Sequence, residues 1–193
     1  MTVNTIGVVG VIGAGVVGRE IAYAAAWGGY RTVLEDVSPE MLEQGVAYIH
    51  KAFAQEVVSG AVTIAQREFA LANLTTARRV DDACRQADLL IEAAPEDMEL
   101  QLEIFTIFDK FAKPDAILAS STASLSITEL AAITFRAENC VGMHFFHATP
   151  NRKLLEIVRA PDTSEETVQA CAEAGRRMGK EVVIVCEPPG LIS

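Results

Sequence analysis

The sequence has no apolar stretch long enough to cross a membrane. Its N-terminus also lacks the basic segment, apolar run and cleavage site of a secretory signal. We therefore interpret the protein as cytoplasmic and expect no membrane partner.

Cysteine is sparse and widely spaced. The four cysteines form no CxxC pair and no cysteine–histidine spacing of a metal site; they are Cys84, Cys140, Cys171 and Cys186. We expect reduced thiols in the core, no disulfide framework and no bound metal.

Basic residues are also few relative to acidic ones. The chain carries 16 Lys and Arg side chains against 26 Asp and Glu, a formal net charge of -10 at pH 7. Such a surface repels polyanions, which argues against a nucleic-acid partner or an anionic membrane surface. The composition favours a small-molecule substrate.

What the chain does have is a regular alternation of strand-like and helix-like segments, with half of its residues hydrophobic. The apolar runs that predict strands are Ile6 to Ile12, Thr32 to Glu35, Asp88 to Ala93, Ala116 to Ser120, Cys140 to Phe145, Lys153 to Val158 and Glu181 to Val185. Alternation with amphipathic helices indicates an α/β fold. We predict a doubly wound, mostly parallel Rossmann sheet with helices on both faces and a short antiparallel extension near the C-terminus.

Two helices are predicted with some detail. The segment from Met98 to Phe111 places apolar side chains on one helical face: Leu100, Ile104, Ile107, Phe108 and Phe111. A later helix begins near Ser164 and ends before Gly179.

The first strand leads into a glycine-rich loop, Gly13-Ala14-Gly15-Val16-Val17-Gly18. In a strand, loop and helix of this order, Gly13 permits the tight turn, Gly15 lets the backbone approach a pyrophosphate, and Gly18 lets the helix pack closely. The helix N-terminus then presents free N–H groups to the phosphates. We therefore expect this loop to bind the pyrophosphate of a dinucleotide cofactor.

The second strand ends in Glu35-Asp36, where a carboxylate can accept both ribose hydroxyls of the adenosine and repel a 2′-phosphate. Asp36 is our candidate, and it favours NAD over NADP. S-adenosylmethionine folds also place an acid here, so a methyltransferase is the nearest competing hypothesis. The third glycine, Gly18, argues against it.

A candidate catalytic pair lies further along the chain. His144 falls at the end of a predicted strand, where open α/β sheets bind ligands, and Glu156 is an acid inside an otherwise apolar strand. A returning strand would bring them together as general base and orienting carboxylate. From the residues alone, a purely structural hydrogen-bonded pair is an equal alternative.

These residues resemble the L-3-hydroxyacyl-CoA dehydrogenase family, particularly its bacterial 3-hydroxybutyryl-CoA dehydrogenase members. The blocks that carry the resemblance are the glycine loop, Ile91-Glu92-Ala93-Ala94-Pro95-Glu96, Ser120-Ser121-Thr122-Ala123-Ser124-Leu125-Ser126-Ile127-Thr128-Glu129, Gly142-Met143-His144-Phe145-Phe146, and Lys153-Leu154-Leu155-Glu156-Ile157-Val158.

The resemblance implies His144 as the base, Glu156 as its partner and Asp36 as the ribose ligand, with Ala94 and Glu96 also contacting the cofactor. The expected reaction interconverts a 3-hydroxyacyl-CoA, of short chain, and the 3-ketoacyl-CoA. Ala123 and His147 stand at the substrate positions where the family has serine and asparagine, and Gln101 replaces a lysine.

The resemblance also implies a domain division. We expect residues 1–187 to form the NAD-binding domain and residues 188–193 to begin the linker to a helical domain that this chain lacks. In full length the enzyme is expected to be a homodimer. Two alternatives stay open: a non-catalytic NAD-binding module, and a dehydrogenase of a 3-hydroxy acid that is not a CoA ester.

Overall fold

A computed structural model describes residues 5–146 and 154–187 of the chain. The strands are β1 (Val8–Ile12), β2 (Arg31–Glu35), β3 (Leu74–Ala77), β4 (Leu89–Glu92), β5 (Ile117–Ser120), β6 (Cys140–Phe145), β7 (Leu154–Arg159) and β8 (Glu181–Cys186). The helices are α1 (Val16–Trp27), α2 (Pro39–Ser59), α3 (Ile64–Ala72), α4 (Val80–Cys84), α5 (Met98–Phe111), α6 (Ile127–Ala132) and α7 (Glu165–Arg177).

The strands form one 8-stranded sheet in the order β3-β2-β1-β4-β5-β6-β7-β8. Neighbours from β3 to β6 run parallel. Strand β7 pairs antiparallel with β6, and β8 runs parallel to β7. The predicted doubly wound, mostly parallel sheet with an antiparallel extension is therefore confirmed.

Helices cover both faces of this sheet. One apolar core lies under α1, α2, α3 and α7, and a second lies under α4, α5 and α6. In the second core, Phe105 and Phe108 are fully buried, and each contributes roughly 1.5–3 kcal/mol by leaving water. In the described part of the chain, no helix is long and apolar enough to cross a membrane.

Three features of the fold differ from the sequence prediction. The cysteines were expected in the core, but Cys186 is exposed on β8. Strand β3 was not predicted, because Thr75 and Thr76 are exposed at the sheet edge and give no apolar run. The predicted face of α5 is wrong at Leu100, which is 36% exposed, whereas Gln101 and Phe105 are buried. The predicted start of β7 at Lys153 lies outside the described residues.

Glu35 is a buried acid at the end of β2. It is 1% exposed, and its Oε1 atom has no hydrogen-bond partner among the described residues. Burial raises the pKa of Glu35 to about 7, and the neighbouring carboxylate of Asp36 adds to the effect. The folded protein therefore holds this proton at pH values where the unfolded chain has released it.

Replacing Glu35 by Gln tests this proton. A carboxyl whose folded-state pKa is raised costs stability as pH rises from the unfolded value of 4.5 to the folded value of about 7. We expect Glu35→Gln to raise the free energy of unfolding more at about pH 8 than at about pH 5. The difference between its two effects should be on the order of 2 kcal/mol. Thermal unfolding at the two pH values measures the difference. An identical effect at both would contradict the raised pKa.

Candidate functional site

The loop between β1 and α1 requires glycine at its first position. Gly13 has φ of 100°, in the left-handed region that favours glycine. Its N–H donates to the Glu35 carbonyl at 2.9 Å. A Cβ atom here would lie 2.8 Å from the carbonyl oxygen of Ala93. Gly13 therefore provides a turn that a side chain would block.

Gly18 lets α1 sit directly on that turn. A Cβ atom at Gly18 would lie 1.7 Å from the Gly13 carbonyl oxygen, a separation that no side chain tolerates. At Gly15, in contrast, a Cβ atom would meet nothing within 4 Å. Gly15 therefore faces open space, as expected where a ligand phosphate approaches the protein backbone.

The N-terminus of α1 is open to an anion. Its N-cap, Gly15, supplies no side-chain hydrogen bond, and the first intrahelical bond runs from Arg19 N–H to the Gly15 carbonyl. The preceding N–H groups of Val16, Val17 and Gly18 and the positive end of the helix dipole suit a negatively charged group. These residues fit the pyrophosphate of a dinucleotide.

The two acids at the end of β2 point to different places. The Asp36 carboxylate accepts hydrogen bonds from the N–H groups of Ala14 and Ser38, each at 2.8 Å. Glu35 is buried with the second core beneath α4. Asp36 is thus the acid that lies beside the glycine loop, where the sequence analysis placed the ribose ligand.

The loops after β4 and β5 are joined by Glu96. Its carboxylate accepts hydrogen bonds from Thr122 Oγ1 at 2.7 Å, Ala123 N at 2.8 Å and Ser124 Oγ at 3.1 Å. Burial acts to raise the pKa of Glu96, but these bonds and the nearby His144 outweigh it, so that the pKa is lowered. Glu96 is therefore ionised at neutral pH.

His144 and Glu156 are brought together by the antiparallel pairing of β6 with β7. They are directly opposite in the register, and His144 Nδ1 lies 3.3 Å from Glu156 Oε2. The side chains are 22% and 31% exposed, respectively. The His144 ring packs on Phe146, with centroids 4.2 Å apart. The pair is accessible at the carboxyl end of β6.

The remaining candidates occupy varied positions. Ala94 donates its N–H to Glu92 Oε1 at 2.6 Å. Ala123 is exposed in the loop after β5. Gln101 is 1% exposed beneath this region. His147 lies outside the described residues.

Sequence reasoning missed four residues of the site: Thr122 and Ser124, which bind Glu96, and Glu92 and Ser120, which lie beneath them. The hydroxyl residues follow β5 directly. The acid Glu92 ends the apolar run of β4. A polar residue closing a buried strand at the ligand-binding edge was the available signal.

The parallel sheet, the glycine turn under α1 and the acid after β2 together define a dinucleotide-binding Rossmann domain. Residues 8–188 match the family described as "3-hydroxyacyl-CoA dehydrogenase, NAD binding domain". The chain belongs to this family, and its cofactor is NAD.

The chain is similar to curated proteins and to solved structures. It is 40% identical over 184 residues to the 3-hydroxybutyryl-CoA dehydrogenase of Bradyrhizobium diazoefficiens, a match that covers 95% of this chain and 62% of that protein. The crystal structure of (S)-3-hydroxybutyryl-CoA dehydrogenase from Ralstonia eutropha superposes with a TM-score of 0.91 at 35% identity, covering 98% of this chain and 66% of that one.

A second similar structure is named for a different substrate. The 5-formyl-3-hydroxy-2-methylpyridine 4-carboxylic acid 5-dehydrogenase, described as an NAD⁺-dependent dismutase, matches with a TM-score of 0.83 at 28% identity, covering 97% of this chain and 60% of that one. The chain spans less than two thirds of the length of the Bradyrhizobium relative.

Two glycine substitutions separate cofactor binding from folding. At Gly15 an added Cβ has open space within the protein, so we expect Gly15→Ala to fold normally and to bind NADH at least about tenfold more weakly, because the methyl group meets the pyrophosphate. At Gly18 the added Cβ collides with the loop, so Gly18→Ala should lower the melting temperature as well. Calorimetric titration and thermal unfolding measure the two effects. Normal NADH affinity in Gly15→Ala would remove the loop from the binding site.

Asp36 should select the unphosphorylated cofactor. Its carboxylate is fixed beside the loop by two N–H groups, where it would repel a 2′-phosphate. We expect the chain to bind NADH more tightly than NADPH, and Asp36→Ala to reduce the difference. Titration of both proteins with both cofactors checks this, with Asp162→Ala, an exposed acid between β7 and α7, as the control. Equal or tighter NADPH binding by the unsubstituted chain would refute the assignment of Asp36.

Proposed function

We propose that this chain forms the NAD-binding part of a dehydrogenase that interconverts a 3-hydroxyacyl-CoA, of short chain, and the corresponding 3-ketoacyl-CoA. The observation that carries the proposal is the His144–Glu156 pair, 3.3 Å apart at the carboxyl edge of a sheet that also carries the NAD loop. Family membership and the named activities of the relatives support it.

The pair has the arrangement that a general base requires. With Nδ1–H donated to Glu156, the neutral imidazole keeps the lone pair of Nε2 available for the hydroxyl proton of the substrate. As that proton arrives, the Glu156 carboxylate stabilises the imidazolium that forms. Bound NAD supplies the hydride acceptor in one direction, and NADH supplies the donor in the other.

The position of the pair relative to Glu96 supports the same assignment. His144 and Glu96 are close enough for the histidine to lower the pKa of the Glu96 carboxyl. An ionised Glu96 fixed by three hydrogen bonds stabilises a histidine that becomes positively charged during turnover. We therefore assign Glu96 and Ala94 to the cofactor side of the site, and Ala123 and His147 to the substrate side.

The proposed working enzyme is larger than this chain. The match covers 62% of the Bradyrhizobium relative, and we propose that residues 1–187 act as the NAD-binding domain of a homodimer whose remaining part covers the substrate. Residues 188–193, outside the described ranges, are assigned to the linker. The substrate is a small molecule.

One observation favours a second candidate, a dehydrogenase of 3-hydroxy acids that are not CoA esters. Ala123 removes a hydroxyl from the substrate side, and the pyridine-carboxylic acid dehydrogenase is a relative of this fold whose named substrate is not a thioester. NADH oxidation with acetoacetyl-CoA and with free acetoacetate separates the two candidates. NADH binding without turnover of either substrate would indicate a non-catalytic NAD-binding module.

The role of His144 is tested by substitution in the longest form of the protein that its gene encodes. We expect His144→Gln to lower kcat by about 100- to 10,000-fold, the contribution of general acid–base catalysis, with little change in NADH affinity. Glu156→Gln should impair the same step. His50→Gln, an exposed histidine on α2, is the matched control and should keep full activity. Near-normal turnover in His144→Gln would disprove the assignment.

A further inference from the structure

A second carboxyl group lies beneath the loops that carry Glu96. Glu92, at the end of β4, is 0% exposed. Its Oε1 accepts a hydrogen bond from Ala94 N at 2.6 Å, and its Oε2 lies 2.6 Å from Ser120 Oγ at the end of β5. The proposed catalysis uses neither Glu92 nor Ser120.

The hydrogen-bond directions around Ser120 can be worked out from Gln101 on α5. The Pro95 carbonyl can only accept, so the Gln101 side-chain nitrogen, 3.4 Å away, donates to it. Gln101 Oε1 then faces Ser120 Oγ at 3.3 Å as a second acceptor. Ser120 Oγ already accepts from Thr122 N at 3.2 Å.

One hydrogen is missing if Glu92 is ionised. The Ser120 hydroxyl has a single hydrogen and faces two buried acceptors, Glu92 Oε2 and Gln101 Oε1. A buried acceptor without a hydrogen bond costs stability, and a buried carboxylate without a cation costs more. Within the described ranges, no Lys, Arg or His lies within salt-bridge distance of Glu92. A proton on Glu92 satisfies every one of these groups.

We propose that Glu92 is a positioning residue that holds a proton in the folded protein and, by donating it to Ser120, ties the loop after β4 to the loop after β5. The hydrogen bonds then run in one direction, from Glu92 to Ser120, from Ser120 to Gln101, and from Gln101 to the Pro95 carbonyl. These hydrogen bonds hold the backbone at Ala94 and Pro95, immediately before Glu96, and at Thr122, whose hydroxyl binds Glu96. Glu92 thereby holds Glu96 in place for the cofactor without touching the cofactor itself.

The electrostatics agree with this arrangement. Burial raises the pKa of Glu92 to about 7 against the opposing effect of its hydrogen bonds, and the facing carboxylate of Glu96 raises it further. A neutral Glu92 leaves one negative charge between the two loops instead of two. Because the pyrophosphate of NAD adds negative charge at the same edge, a neutral acid is the form that favours cofactor binding.

The proton can be observed directly. In protein labelled with ¹³C at the glutamate carboxyl carbons, NMR at about pH 6 should show a neutral carboxylic acid signal that disappears in Glu92→Gln. The Glu35 carboxyl shares the raised pKa, so Glu35→Gln identifies its signal separately. If no neutral signal belongs to Glu92 at that pH, the proposal is wrong.

NADH titration tests the positioning role. A glutamine can accept from Ala94 N and donate to Ser120 Oγ as the neutral acid does. Glu92→Gln should therefore bind NADH within about twofold of the unsubstituted chain, whereas Glu92→Ala should bind about tenfold more weakly. Ser120→Ala keeps Glu92 but breaks the chain, and serves as the second variant if Glu92→Ala does not fold. We expect it to bind NADH at least about threefold more weakly. Glu103→Gln, an exposed acid on α5, is the control.

Two results would overturn the positioning role: Glu92→Gln binding as weakly as Glu92→Ala, or Ser120→Ala binding NADH normally. The inference rests on the NAD-binding role of the family and not on the proposed substrate. Neither experiment measures turnover, so the failure of this inference and of the proposed reaction can be told apart.

Discussion

The contact between Gly18 and the Gly13 carbonyl is the constraint on which the site depends. With hydrogen alone at position 18, α1 begins directly against the turn that ends β1. The helix N-terminus is thereby held at the carboxyl edge of the sheet, over β1 and close to Ala93, which follows β4. Any side chain at Gly18 would lift the helix and withdraw its N–H groups from the edge where phosphates bind.

The antiparallel pairing of β7 with β6 is the second constraint, since it sets the geometry of the proposed catalytic pair. In the observed register His144 faces Glu156 on the side of the sheet opposite Met143 and Ile157, whose side chains pack in the core beneath α7. A slip of one residue would place the two polar side chains on opposite faces. The apolar alternation of both strands resists that slip, because it would bury the acid and expose the core residues.

Much of the fold and of the candidate site could be predicted from the sequence wherever a local rule applies. Glycine spacing predicted the tight turn between β1 and α1, because a positive φ at Gly13 and a close approach at Gly18 are local needs. His144 and Glu156 could be named, but their pairing depends on a strand register that spacing does not fix. Alternation along β2 predicts that Glu35 and Asp36 point to opposite sides, yet the tertiary fold decides which one faces the loop.

The network around Glu92 lay beyond sequence reasoning for a related reason. It depends on the rotation of α5, which buries Gln101 and exposes Leu100. Helical periodicity had placed Leu100 on the buried face, because it counts apolar residues and gives no weight to a glutamine with buried partners. The same rotation brings the amide of Gln101 to Ser120 and Pro95. Buried polar contacts of this kind become visible only when three segments distant in sequence are placed together.

The central claim is that one edge of the sheet holds NAD with its reactive end beside His144. A crystal structure of the chain with NAD⁺ bound tests it most directly. The account predicts the pyrophosphate on the N–H groups at the start of α1, the adenosine ribose at Asp36, and the nicotinamide between Glu96 and His144. A nicotinamide ring bound away from His144, or a cofactor running in the opposite direction along the edge, would contradict it.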